Sequence, residues 1–263
     1  MLDFKRILSI SKRYFFARFL KLEDLIDFSF WPVLDMIVWG GVGLLIDQKG
    51  YSSGQVTLSV LCAVMMRVFT YCYVNSAGNF LYEMMSRNII NLFATPLTFH
   101  EWIAGAMLSG CVTSFMLILF STVVAWLIFG VNILSIGFSL VFFIIPLLLS
   151  AWAVSNIAIT MLMGLGVHAQ RLIFVLAWLF MPFSGVYYSL SVMPAWIQSV
   201  ARFVPMSYIF EALRIFVLEG RFSLSHLHYG YALAIIYFII TLTACSKMFE
   251  RSCRLGLAAL ERA

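Results

Sequence analysis

Residues 102–170 read WIAGAMLSGCVTSFMLILFSTVVAWLIFGVNILSIGFSLVFFIIPLLLSAWAVSNIAITMLMGLGVHAQ, 69 positions without an Asp, Glu, Lys or Arg. A helix crossing a bilayer needs about 20 apolar residues. The interval therefore holds two spans, and Gly130-Val-Asn132 marks the turn between them. The rest of the chain agrees. Of 263 residues, 63% are hydrophobic and 11% charged, where average soluble domains carry about 25% charged residues. So few charges cannot cover the surface of a soluble domain of this size, and disorder is excluded for the same reason. The chain is a polytopic membrane protein.

Working outward, the interval supplies span 3 (about 103–129) and span 4 (about 137–163). Span 1 is expected at about 26–46 and span 2 at about 55–84, joined by the turn 47–54. Span 5 starts at Leu172 and meets Pro182, and span 6 covers about 229–248. Residues 4–22 predict a basic amphipathic helix lying along the membrane surface. Phe4, Ile7, Leu8, Ser11, Tyr14, Phe15, Phe19 and Leu22 share one side of it, and Lys5, Arg6, Ser9, Lys12 and Arg13 the other. The fold expected is an all-α polytopic membrane protein. It has six transmembrane helices, an N-terminal interfacial helix and a re-entrant helical pair between spans 5 and 6. All of it forms one membrane domain over 1–263.

The charges orient it. Lys5, Arg6, Lys12, Arg13, Arg18 and Lys21 precede span 1, and Lys247, Arg251, Arg254 and Arg262 follow span 6. With Arg87 and Arg171 in two short connections, 12 of 17 positive charges fall on one side. The positive-inside rule then places both termini, including the tail 249–263, in the cytoplasm. The same distribution argues for membrane lipid and against nucleic acid as the partner of the basic excess. The first 24 residues show no signal-peptide pattern.

The interval 183–228 is too apolar for a loop and too interrupted for one span. Pro182, Pro194 and Pro205 each remove a helix donor. Short helices are expected from Trp196 to Val200 and from Met206 to Leu218. Broken helix at membrane depth must be covered by protein or line a cavity, so this block reads as re-entrant helices in the outer leaflet.

Two ionisable residues sit mid-span. Asp35 lies 12 residues before Asp47, and Arg67 lies 13 after Gly54. Both are about 18–20 Å below the turn that joins spans 1 and 2. Each alone is costly in lipid, which predicts an Asp35–Arg67 salt bridge. It serves as a helix clamp or as a polar element of a substrate path. Glu83 and Arg87 have the i,i+4 spacing of a surface ion pair. Thr98 with Glu101 fits a capping box after the turn at Pro96. Ile89, Ile90, Leu92 and Phe93 would form an exposed apolar patch in the cytoplasmic segment 85–101.

Catalytic and metal motifs are lacking. The five cysteines include no C-x-x-C pair, and His226-Leu-His228 has no carboxylate or thiolate beside it. There is no phosphate loop, no G-x-S-x-G and no H-E-x-x-H. No catalytic residue, metal ligand or bound cofactor is expected in this chain.

The order of these features resembles the membrane subunits of type-2 ABC exporters. The likeness rests on Leu92-Phe-Ala-Thr-Pro-Leu-Thr98 and on the block from Met181-Pro-Phe-Ser-Gly185 through Met193-Pro-Ala-Trp196 to Val204-Pro-Met-Ser-Tyr-Ile-Phe-Glu-Ala-Leu-Arg214. Within that block Pro182, Gly185, Pro194, Trp196, Pro205, Glu211 and Arg214 mark the re-entrant segment. The resemblance implies a separate cytoplasmic ABC ATPase subunit, which would bind the ATP and magnesium, and a second permease copy, with a homodimer expected. It also implies contacts to that ATPase at Glu83, Arg87, Pro96, Leu97, His100 and Glu101. The length and the small outer region look most like the subgroup exporting polysaccharides and lipo-oligosaccharides, out of the cytoplasm across the plasma (inner) membrane. Drug or lipid export, an ion-coupled transporter and an intramembrane enzyme are the competing readings.

Overall fold

The computed structural model describes residues 3–20, 22–49 and 54–255. Lys21, positions 50–53 of the first turn and positions 256–263 of the tail lie outside the described residues. Among the described residues the secondary structure is wholly α-helix and 3-10 turn, with no strands. The α-helices are α1 (Phe4–Phe19), α2 (Leu22–Gln48), α3 (Gln55–Met85), α4 (Ile89–Ala94), α5 (Phe99–Phe129), α6 (Ser139–Leu165), α7 (Gln170–Leu179), α8 (Met181–Ser184), α9 (Ala195–Ala201), α10 (Pro205–Glu219) and α11 (Leu224–Leu255). The 3-10 turns are Ile133–Ile136, Gly166–Ala169 and Leu190–Val192.

Among the described residues, five segments are long and apolar enough to cross a membrane: Leu22–Gln48, Gln55–Met85, Phe99–Phe129, Ser139–Ser184 and Leu224–Arg254. The fourth includes α6, α7 and α8 and is broken at Gly166, whose φ is 71°. The span expected from Leu172 is thus a ten-residue helix. At 1.5 Å per residue it is about 15 Å long, roughly half a hydrocarbon core.

Helix α3 is the centre. In its most apolar window 72% of residues are buried, against 22% in α2 and 17% in α11. Small residues permit this close approach, as in membrane bundles generally. A Cβ on Gly43 would sit 2.8 Å from the backbone of α3, so α2 can lie on α3 only as glycine. A Cβ on Gly110 of α5 would meet the Cys72 carbonyl at 3.1 Å. Asp47 closes the α2–α3 corner from the end of α2. Its carboxylate accepts from the Gln55 N–H at 3.1 Å and the Val56 N–H at 3.3 Å. These are amide donors that the first turn of α3 leaves unpaired.

Contacts along α7 give its direction. The Tyr73 hydroxyl donates to the Ile173 carbonyl, Phe180 packs edge-on against Phe69, and Met181 shares a cavity with Met66 and Arg67. Advancing along α7 means retreating along α3, so the two are antiparallel. In the interval 183–228, α9 and α10 fall where two short helices were expected. Helix α11 packs mainly on α6 and runs past the expected end of span 6 at 248.

Candidate functional site

At the C-terminal end of α3, two carboxylates are sealed from solvent. Glu83 and Glu101 are both 0% exposed. Glu83 Oε1 accepts from the Tyr14 hydroxyl at 2.9 Å and pairs with Arg13 Nη2 at 2.7 Å. Its Oε2 accepts from Asn88 Nδ2 at 2.6 Å. Trp102 Nε1 in turn donates to the Tyr14 hydroxyl at 2.6 Å. Burial beside this carboxylate pushes the Tyr14 phenol well above its ordinary range. Glu101 completes the capping box with Thr98, accepts from the Asp3 N–H at 2.8 Å and faces Arg6 at 3.6 Å. Arg6 also donates to the Pro96 carbonyl. Helix α1 is therefore hung on two buried acids that bracket the segment 85–101. A Cβ on Gly105 of α5 would strike Ile10 at 2.7 Å, so the two helices are in close contact.

Two expectations for this segment are corrected. Glu83 pairs with Arg13, not Arg87. Helix α3 ends at Met85, and Arg87 takes a left-handed φ of 53° where the i,i+4 register no longer holds. Asn88 N–H returns to the Glu83 carbonyl and Arg87 N–H to the Met84 carbonyl. That closure usually carries glycine at the left-handed position. The apolar patch is also largely internal: Ile89 and Leu92 are buried and Phe93 packs on the core, leaving Ile90 exposed. Of the remaining residues, Arg87, Pro96 and His100 are exposed, and His100 shares a hydrogen bond with Ser246 at 3.3 Å. Leu97 is half-buried against the core.

The structure brings Asp35 and Arg67 together. Arg67 Nε donates to Asp35 Oδ2 at 2.8 Å, and Nη2 donates to the same oxygen. The guanidinium lies 5.7 Å from the Trp31 ring centre. The pair lines a small cavity of about 40 Å³ with Met66, Thr70, Trp178 and Met181, and Arg67 alone of the two also lines a larger one. A space of about 390 Å³ is lined by Arg18, Asp27, Trp31, Arg67, Tyr71 and Trp178 among others. It shares Arg18, Val74 and Phe174 with a second of about 250 Å³ nearer the C-terminal end of α3. Together they make a groove bounded by α1, α2, α3 and α7. Sequence reading missed Arg18, Tyr71 and Trp178 here; the Arg that interrupts the apolar side of α1 was the available signal.

The proline-rich block joins this region from the other side. Tyr187 stacks on Trp39 with ring centres 3.5 Å apart, one helical turn beyond Asp35 on α2. Arg214 pairs with Glu211 and donates to the Gly185 carbonyl at 2.9 Å. Gly185 has φ 62° and Leu190 against it, so the turn after α8 favours glycine. Pro205 opens α10 at its first turn, where a missing N–H costs nothing. Pro182 stands in the first turn of α8, and Pro194 is the residue before α9. Trp196 is exposed and touches Phe183 edge-on.

These features define an α-helical integral membrane protein with a groove along its central helix and buried acids at one end. The chain belongs to the ABC-2 type transporter family, whose profile matches residues 11–218. It is a permease subunit of an ABC transporter. A search among curated proteins finds no match.

Proposed function

We propose that this chain is the membrane half of an ATP-driven exporter, moving an amphipathic or glycan-type substrate out of the cytoplasm. The observation that carries the reading is the family match over residues 11–218. A separate ABC ATPase binds ATP and magnesium and closes beneath the segment 85–101. Two permease copies meet, as a homodimer, to form the path. The exposed Arg87, Pro96 and His100 face the ATPase, with Leu97 behind them. Glu83 and Glu101 act one step inward, fixing α1 to the inner ends of α3 and α5. Thrust on the segment would then move α1, α3 and α5 together.

In this reading α1 lies at the inner interface, both termini are cytoplasmic and the protein sits in the plasma (inner) membrane. Helices α7 and α8 serve as a short sixth crossing. The residues 183–228 form re-entrant helices in the outer leaflet, supported by their prolines and short lengths. The groove, polar at the inner end and aromatic deeper in, suits an amphiphile. That keeps lipid or drug export as the second reading beside polysaccharide and lipo-oligosaccharide export. Engagement of Asp35 by Arg67 disfavours ion-coupled transport, which needs a titrating acid.

Co-expression with the ABC ATPases of the same genome tests this. A stable complex with one of them, lost when Arg87, Pro96 and His100 are all replaced, is the expected result. A chain that binds no ATPase yet transports would overturn it.

A further inference from the structure

We propose that the inner end of the groove between α1, α2, α3 and α7 binds a zwitterionic phospholipid headgroup, an ammonium beside a phosphate. This rests on the permease reading only for its consequence, since it names the class of amphiphile the groove admits. Depth comes first. Asp24 and Asp27 lie in the first two turns of α2, and Asn79 lies six residues before the end of α3. At 1.5 Å per residue these are within about 10 Å of the helix ends, the depth of headgroups. Trp31, Phe174 and Trp178 line the groove beyond them.

The charges come second. Arg18 faces both cavities and sits 6.0 Å from the Tyr71 ring centre. It makes no ion pair among the described residues. Asp24 lines one cavity and Asp27 the other, and neither has an ion-pair partner among the described residues. Arg67, the other cation of the wall, is held by Asp35. Opposite charges share one groove without meeting, which suits a ligand carrying both signs. The third observation is Asn79. It lines the same cavity as Asp24, and its Nδ2 is buried without a hydrogen-bond partner among the described residues, an arrangement that costs free energy unless a rearrangement brings an acceptor to it.

The chemistry then divides. Arg18 and the Asn79 amide donate to phosphate oxygens. Asp24 and Asp27 accept from a primary ammonium. Acyl chains lie along Trp31, Phe174 and Trp178. A purely anionic headgroup would meet two carboxylates. A quaternary ammonium would lose the hydrogen bonds.

The test is native mass spectrometry of the full chain, loaded with equal amounts of phosphatidylethanolamine, phosphatidylcholine and phosphatidylglycerol and stripped stepwise. The chain is expected to retain phosphatidylethanolamine about tenfold over phosphatidylglycerol. Arg18→Ala should weaken that retention about tenfold, and Asp24→Asn with Asp27→Asn should shift the preference towards phosphatidylglycerol. If Arg18→Ala does not fold, Arg18→Lys gives the same readout, with weaker retention and unchanged order. Equal retention of the three lipids, or a preference untouched by these variants, overturns the site and leaves annular lipid only. ATP-driven export measured on the same preparations separates the two readings. Export without headgroup preference removes this site alone; headgroup preference without export with any ATPase removes the exporter reading alone.

Discussion

Glu83 and Asp35 are both carboxylates paired to arginine, both on or against α3, and they are built differently. Glu83 has both oxygens occupied, by Tyr14, Arg13 and Asn88, and no exposed surface. Among the described residues Asp35 is engaged only through Oδ2, and its side chain keeps 20% exposure beside a small cavity. A sealed, saturated acid resists rearrangement because each partner left behind is buried and unpaired. An acid held through one oxygen at the edge of a small cavity has fewer partners to strand. The first is suited to holding α1 to α3, and the second to joining α2 to α3.

Substitutions at five positions probe that contrast. The largest effect is expected from Glu83→Ala, which strands Tyr14 and Asn88 and should cost about 3 kcal/mol. It is read as a large fall in the thermal inactivation midpoint of the purified chain, with Glu83→Gln losing less. Next, Asp35→Ala and Arg67→Ala should each cost about 2 kcal/mol by leaving a charge in the membrane. The double variant should cost less than their sum. The swap Asp35→Arg with Arg67→Asp should recover part of the loss, and no recovery would end the pairing argument. Thr98→Ala removes half of the capping box and should cost about 1 kcal/mol. Smallest is Arg87→Gly. A left-handed residue at φ 53° gains up to about 1 kcal/mol on becoming glycine, so stability should hold or rise. Weakened ATPase binding in the same variant would identify Arg87 as a surface contact.

The sequence made the bundle legible because each signal was local. A charge-free run sets the spans, Thr98 and Glu101 set a cap, and Asp35 and Arg67 share a depth fixed by helix rise. The partners of Glu83 were not legible. The i,i+4 rule assumes the helix continues, and α3 stops before Arg87. Arg13 and Tyr14 are about 70 residues away, and only the packing of α1 on α5 brings them in. The patch at Ile89–Phe93 failed likewise, because a six-residue helix cannot show from composition which side faces the core. The short α7 was legible at both ends, since the polar connection closing at Arg171 and the stop at Pro182 leave room for about ten residues, as found.

The most direct measurement is transport by sealed vesicles holding the chain with and without its ATPase, under ATP or under an ion gradient. We predict movement of amphiphile that needs both proteins and ATP hydrolysis, and that Glu83→Ala uncouples while the ATPase stays active. Movement by the chain alone, driven by an ion gradient and indifferent to ATP, would contradict the account.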